Sequence, residues 1–401
     1  MTIRQDANAV DAGKRSGLAL HALTLIAFLA ASSAPTPLYP LYQAAWGFSP
    51  FMITVVFAIY AAALLLTLLF FGSLASHWGR RPVILLALAA ELLAMALFLG
   101  AQGGGWLLAA RLVQGFATAL ATTSLAAALL DLDHKAGATI NSIAPMVGMG
   151  VGALGSGLLA EAAPAPLRFV YALLIVVFVV QVLRSLRSPE TAASLSGRPW
   201  SPRPRIEVPP AARRAFLRVA PLNIATWALG GFFMSLMPSL IRLSGGATWM
   251  GGGVVAVLTL TGGIAVIAYR NRTAGAGLAT GGASGAVGTA VILGGVYLGS
   301  PAVLMAGAFV AGIGFGAGFL GATRSIVSKV RPEERAGLMS AFYFESYLAN
   351  AVPAMIAGYA VRHIGLVETA TAFGAFIIAL SLLSLALPDE ACPEKAVEQG
   401  A

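Results

Sequence analysis

The sequence predicts an all-α polytopic membrane protein, with about twelve transmembrane helices in two pseudo-symmetric six-helix bundles. Three observations lead there. Hydrophobic residues make up 58% of the 401 residues and charged residues only 10%. Apolar runs recur from residue 18 to residue 387. The basic residues fall almost entirely between alternate pairs of runs. A mean hydropathy of +0.84 excludes a soluble domain, which needs far more charge on its surface. It also excludes a disordered chain, which needs low hydrophobicity. The single cysteine, Cys392, excludes an intramolecular disulfide framework.

A helix crossing the hydrocarbon core needs about 20 residues. The expected crossings are 18–43, 51–74, 82–100, 104–130, 137–161, 167–186, 215–243, 248–269, 274–298, 301–322, 336–361 and 365–387. Runs such as VILLALAAELLAMALFL (83–99) are continuously apolar, unlike the alternating strands of a β-barrel. The basic start, the first apolar run and ASSAP (31–35) imitate a signal peptide. The many crossings that follow favour a retained first helix, bent near Pro35, Pro37 and Pro40. Residues 188–214 are proline-rich and aperiodic, a linker. The expected organisation is an N-terminal bundle (1–187), this cytoplasmic linker, a C-terminal bundle (215–390) and a polar cytoplasmic tail (391–401).

With the N-terminus in the cytoplasm, 21 of the 25 Lys and Arg residues lie on that side. Arg168, Arg242 and Arg362 lie outside, and Arg111 lies within a helix. This follows the positive-inside rule and puts both termini in the cytoplasm. The net charge of +9 is thus a topology signal and calls for no nucleic acid. The halves also echo one another. Residues 136–161 open with AGATINS and continue through Pro145; residues 336–361 open with AGLMSAF and continue through Pro353. The Gly-rich strings QGFATAL (114–120) and FGAGFLG (315–321) lie at a similar offset. Parallel repeats about an axis along the membrane normal give such an echo.

The loop after the second helix reads GSLASHWGRRP (72–82). Its glycines permit a tight turn and its arginines anchor it on the cytoplasmic side. Gly72, Leu74, Gly79, Arg80 and Arg81 match the G-x-L-a-D-r-x-G-r-r loop of the major facilitator superfamily, which the chain resembles. In that family the loop is a cytoplasmic latch between the halves. Ser76 stands where the family usually has Asp, so the latch loses its charged part, and Asp131 or Asp133 is the expected partner of Arg80.

A second match is RLVQGFATA (111–119), with Arg111 and Gly115 in the family's R-x-x-x-G positions. The resemblance implies an arginine associated with substrate or proton coupling. Independently, at about 100° per residue, Arg111, Gln114, Thr118 and Thr122 fall within an arc of roughly 80°. An arginine in hydrocarbon is costly. It either fronts an aqueous cavity or snorkels to the interface, and the polar stripe favours the cavity. The third match, APMVGMGVGALGSG (144–157), is similar to the family's antiporter segment G-P-x-x-x-G-x-x-x-G, with Ala144 in place of the first Gly. Pro145 bends this helix, and Gly148 and Gly152 form a small-residue packing face. GVGALG (150–155) and GAGFLG (316–321) fit a dinucleotide-binding pattern, but both lie inside apolar helices. No metal-ligand spacing occurs, and neither metal nor cofactor is expected.

Glu91 and Glu345 are embedded carboxylates. Helix three is peripheral in the superfamily, which leaves Glu91 as a structural partner or a lipid-facing acid. Tyr343, Tyr347 and Asn350 share one face of helix eleven, expected to contact substrate, while Glu345 points roughly 160–200° away from the tyrosines as a proton-site candidate. In helix seven, Asn223, Trp227, Gly230 and Met234 align, either lining the site opposite Arg111 or forming a packing seam. The resemblance implies alternating access by a multi-pass transporter; a monomer in the cell (inner) membrane is expected. Proton-coupled export of a small amphipathic molecule is the expected function; proton-coupled uptake and a non-transporting receptor or scaffold are the alternatives.

Overall fold

The computed structural model describes residues 2–192, 200–202, 204 and 206–387, with side chains from Gly13 onward and Pro332 excepted. The expected tail 391–401, Cys392 and parts of the linker lie outside the described residues. No strand occurs among the described residues. The first half comprises α1 (Thr2–Ser33), α2 (Tyr39–Trp46), α3 (Pro50–Phe71), α4 (Leu74–Trp78), α5 (Arg80–Leu99), α6 (Gly104–Leu132), α7 (His134–Ala162) and α8 (Phe169–Arg187). The second comprises α9 (Arg213–Ser235), α10 (Met237–Leu243), α11 (Thr248–Tyr269), α12 (Ala274–Leu298), α13 (Pro301–Val327), α14 (Arg335–Ile364) and α15 (Leu366–Ala386).

Two expected crossings are broken, each the first of its half. The run 18–43 is divided into α1, a 3-10 turn (Thr36–Leu38) and α2. Pro35 has no N–H to return to the Ala31 carbonyl, so the helical ladder stops there. The run 215–243 is divided into α9 and α10 at Leu236, just before Pro238. Eleven spans among the described residues are long and apolar enough to cross a membrane. The twelfth long helix, α14, is not among them, because Tyr343, Glu345, Tyr347 and Asn350 dilute its apolar middle. Residues 72–82, expected as a turn, hold the one-turn helix α4.

Below, the face carrying the start of α1 is the near face, and the opposite one is the far face. Within the first half, α6 packs on α1, α3 and α5, and α1 packs on α7. Within the second, α13 packs on α9, α11 and α12. The halves join through α7 on α11 and α3 on α14. In each half these are the second and fifth crossings, so exchanging the halves turns one contact into the other. The seams are tight because glycine removes side chains from them. A Cβ on Gly252 would overlap the Ala153 carbonyl, and one on Gly358 would overlap the Thr54 side chain. The two broken crossings meet at the far face, where Thr36 Oγ1 donates to Met234 Sδ at 3.4 Å and α2 packs on α10.

The α7 glycines serve different partners. Gly148 and Gly152 face α1: a Cβ on Gly148 would lie 2.6 Å from the Ile26 carbonyl, and one on Gly152 would overlap the Ala30 carbonyl. Gly150 and Gly157 face α11 of the other half, at Leu260 and Trp249. We expect Gly152→Val to destabilise the protein by at least roughly 1–3 kcal/mol, the usual overpacking cost, read as a lower thermal unfolding temperature in detergent. Gly155 has nothing within 4 Å of its Cβ position, and Gly155→Ala should leave that temperature level or raise it.

Candidate functional site

The break after α1 sets up the first polar cluster. It leaves the Ala31 and Ser32 carbonyls without ladder partners, and α6 supplies them. Gln114 Nε2 donates to Ala31 O at 3.1 Å, and Arg111 Nη1 donates to Ser32 O at 2.8 Å. Arg111 Nη2 donates to the Tyr39 hydroxyl at 2.6 Å, so the guanidinium bridges the break from α1 to α2. Its carbon lies 4.8 Å from the centroid of the Tyr60 ring, a cation–π distance. Arg111 Nη1 also donates to Gln114 Oε1 at 2.7 Å, while Gln114 Nε2 donates to Glu91 Oε1 at 3.0 Å. One amide thus sits between the arginine and a carboxylate. Arg111 is 1% exposed, and Glu91, Gln114 and Thr118 are 0% exposed.

The aqueous cavity expected around Arg111 is therefore not found: protein acceptors fill the place of water. Three further members of the polar stripe divide. Gln114 joins the cluster; Thr118 is buried beside Tyr60; half-buried Thr122 donates to the Ala119 carbonyl of its own helix. Of the two readings of Glu91, the lipid-facing acid is not what the structure shows; the carboxylate is buried and accepts from Gln114, which leaves the structural partner. It lies fully inside the first half because α5 packs against α6 on one side and α8 on the other.

The second cluster joins α9 and α14. Asn223 Nδ2 donates to Glu345 Oε2 at 3.1 Å and to Ser346 Oγ at 3.0 Å. One turn on, Trp227 packs against Tyr347 at 5.0 Å, Tyr343 at 6.5 Å and Phe319 at 6.4 Å between ring centroids. Asn350 Nδ2 donates to the Trp227 carbonyl at 3.0 Å. Two expectations change. Asn223 does not face Arg111 across a site; it is 2% exposed and bonded within its own half. Glu345 is not turned away from the tyrosine face, because its long side chain brings the carboxylate onto the α9 surface that also carries Trp227. Gly230, by contrast, lies beside Phe315 and Asn350, and Met234 receives the far-face contact from Thr36.

The clusters approach each other at mid-depth, where Tyr60 of α3 and Tyr347 of α14 are close enough to interact electrostatically. Tyr60, Trp227, Tyr343, Glu345, Tyr347 and Asn350 are all half-buried, so this seam is the partly accessible part of the two clusters. The Trp227 indole N–H is enclosed without an acceptor among the described residues.

At the near face, Arg80 Nε meets Asp131 Oδ2 at 3.0 Å, as expected, and Arg80 Nη1 donates to Ala75 O and to Ser76 Oγ. All of these lie in the first half. Lys14 pairs with Asp133 at 2.8 Å. The Lys14 hydrogen bond, with the Ala136 N–H, holds the Asp133 carboxyl down at about 2. Glu190, from the linker, accepts the Arg80 and Arg81 backbone N–H groups at 2.9 and 3.0 Å. Burial opposes ionisation of Glu190, but the N–H groups of Ala192, Arg80, Arg81 and Thr191 outweigh it and hold its carboxyl below the usual range. Gly79, at φ +98°, gives the carboxylate room: a Cβ would lie 2.6 Å from Glu190 Oε2. Arg81 donates to the Ser185 and Leu186 carbonyls at the end of α8.

A sequence profile of the Major Facilitator Superfamily matches residues 21–343. The chain belongs to the Major Facilitator Superfamily. Two solved transporters of that superfamily share its fold. The crystal structure of the nucleoside transporter NupG, in a mutant form, aligns with TM-score 0.72 and 13% identity, covering 92% of this chain and 99% of that one. The crystal structure of the human organic anion transporter MFSD10 (TETRAN) aligns with TM-score 0.65 and 17% identity, again covering 92% and 99%. No curated protein matches in sequence. The chain is thus a multi-pass membrane transporter of this superfamily and not an enzyme.

Tyr39, Tyr60, Ser32 and Glu190 had no motif to mark them. Glu91 had one signal: it is a mid-helix carboxylate in the same half as a lone embedded arginine. We expect Arg111→Ala to strand Ser32 O, the Tyr39 hydroxyl and Glu91, with a loss of about 3–5 kcal/mol, as when one partner of a buried ionic network is removed. The check is thermal unfolding in detergent, and Arg111→Lys should recover it only in part because an ammonium lacks the planar fork. Asp133 is depressed in the folded protein, so its contribution to stability is present at neutral pH and is lost as the pH falls through the ordinary carboxylate range to about 2. Parent and Asp133→Asn unfolding temperatures should therefore differ at neutral pH and converge in strong acid.

Proposed function

We propose that the protein exports a small amphipathic molecule in exchange for protons by alternating access, acting as a monomer in the cell inner membrane with both termini cytoplasmic. One observation carries the reading: at mid-depth, Tyr60 of one half lies within electrostatic reach of Tyr347, which forms an aromatic group of the other half with Trp227 and Tyr343 and lies in the helix that also carries the half-buried carboxylate of Glu345. Aromatic faces suit the apolar body of a ligand. Glu345, Asn350 and the unpaired Trp227 N–H suit a polar or cationic end. Movement of either half changes the two walls of such a site together.

Close contacts between the halves run from the far end to mid-depth. Phe51 packs on Tyr359, Trp249 N donates to Glu161 at 3.3 Å, and Gly263 lies beside Met146. This arrangement supports a state closed at the far face, with access from the near, cytoplasmic face. Export is supported by the antiporter-like segment 144–157, whose glycines bind α7 to α1 and to α11 at once. The bundles 1–187 and 215–390 are the proposed rocking units.

Everted membrane vesicles, with their interior acidified by respiration, test direction and coupling on a panel of fluorescent amphipathic cations and neutral molecules. Accumulation of at least one member is expected, abolished by collapsing the pH gradient and reduced at least tenfold, about 1.4 kcal/mol, by Trp227→Ala. Movement of the same compound out of the vesicles with the protons identifies uptake. Background flux across the panel in purified proteoliposomes returns the protein to a receptor or scaffold role.

A further inference from the structure

We infer that Glu91 carries the coupling proton, and that its protonation state is read at the α1 break, which forms half of the far gate. The inference deepens the proton-coupled reading and rests on it. Glu91 is enclosed in protein, with Oε1 accepting from Gln114 and Oε2 without a partner among the described residues. Arg111 of α6 and Tyr60 of α3 are within electrostatic reach of it; Tyr39 of α2, which accepts from Arg111, and Tyr42 of α2 and Tyr171 of α8 are the further titratable groups around that guanidinium. Among the described residues no carboxylate bonds directly to Arg111; the guanidinium donates to Ser32 O, Gln114 Oε1 and the Tyr39 hydroxyl. Arginine keeps its charge. With Glu91 ionised, the enclosed group is neutral; with Glu91 protonated, it holds an uncompensated positive charge.

That difference reaches the gate through a single amide. Gln114 Nε2 serves both Glu91 and the Ala31 carbonyl, and Gln114 Oε1 holds Arg111. Arg111 in turn staples α1 to α2 across the break. The break carries Thr36 to Met234, and its 3-10 turn packs on α11. An ionised Glu91 keeps this assembly neutral and dry, favouring the closed far gate. Protonation leaves a buried charge whose cost falls when water enters, favouring the far-open state. By linkage, the far-open state binds the proton more tightly. The proton is taken up from far-face water and released to near-face water after closure. This is the direction that lets an inward proton gradient drive the cycle.

The test needs no transported ligand. In a Cys392→Ser background, spin labels are placed at Gln102→Cys and Tyr297→Cys, exposed positions at the far ends of the two halves. Inter-label distances are measured on purified protein from alkaline to acid pH. The parent should lengthen on acidification; Glu91→Gln should show the acid distribution at every pH; Glu91→Asp and Glu345→Gln should keep the response. A Glu91→Gln protein that responds like the parent, a parent that does not respond, or a response lost in Glu345→Gln instead overturns the inference. Should Glu91→Gln not fold, loss of the response in Glu91→Asp also counts against it. Vesicle flux separately reports on proton coupling, so a gate that responds to pH beside gradient-independent transport rejects that reading without blaming Glu91.

Discussion

A guanidinium enclosed at membrane depth has to be met by acceptors that the protein itself provides, and the first half is arranged around that requirement. Prolines stop α1 and leave carbonyls exposed; α6 brings Arg111 and Gln114 to them; α5 brings the carboxylate that balances the charge. None of these is a stable feature alone. An unpaired carbonyl, an isolated arginine and an isolated glutamate are each costly in a medium without water. Together they close a polar group that is 0–1% exposed at Arg111, Gln114 and Glu91.

The second half solves a milder version of the same problem. Asn223 and Ser346 satisfy one another, and Glu345 stays half-buried at their edge. Charge in the two halves is therefore treated unequally: sealed within protein in one, left at the seam in the other. The glycine seams let the halves meet closely at Gly252 and Gly358, with the larger side chains between them. Such a contact can separate and re-form with little rearrangement of the bundles behind it. The two broken first crossings place a short helix from each half at the same face.

The near face shows how a family motif can keep its shape while changing its partners. With Ser76 in place of the acidic residue, Arg80 turns to Asp131, and the linker supplies Glu190 to the first N–H groups of α5. A carboxylate there also meets the positive end of the helix dipole. The loop is thereby tied to its own half and to the linker.

Composition and periodicity by themselves determined the membrane solvent, the helical class, most crossing positions and the 2 × 6 echo, because each follows from local hydropathy that no tertiary contact can reverse. Thr248–Tyr269 and Ala274–Leu298 were legible despite their glycines because nothing else of that length and polarity is stable in lipid. Arg111 and Gln114 were legible as a pair from their helical spacing. Their surroundings were not, since a helical stripe shows which residues share a face and not whether that face meets water or another helix. The place of Glu91 depended on which helices flank α5, and that of Glu345 on how a flexible side chain folds back toward α9. Those are decisions of packing between segments distant in the chain, and only the tertiary structure makes them.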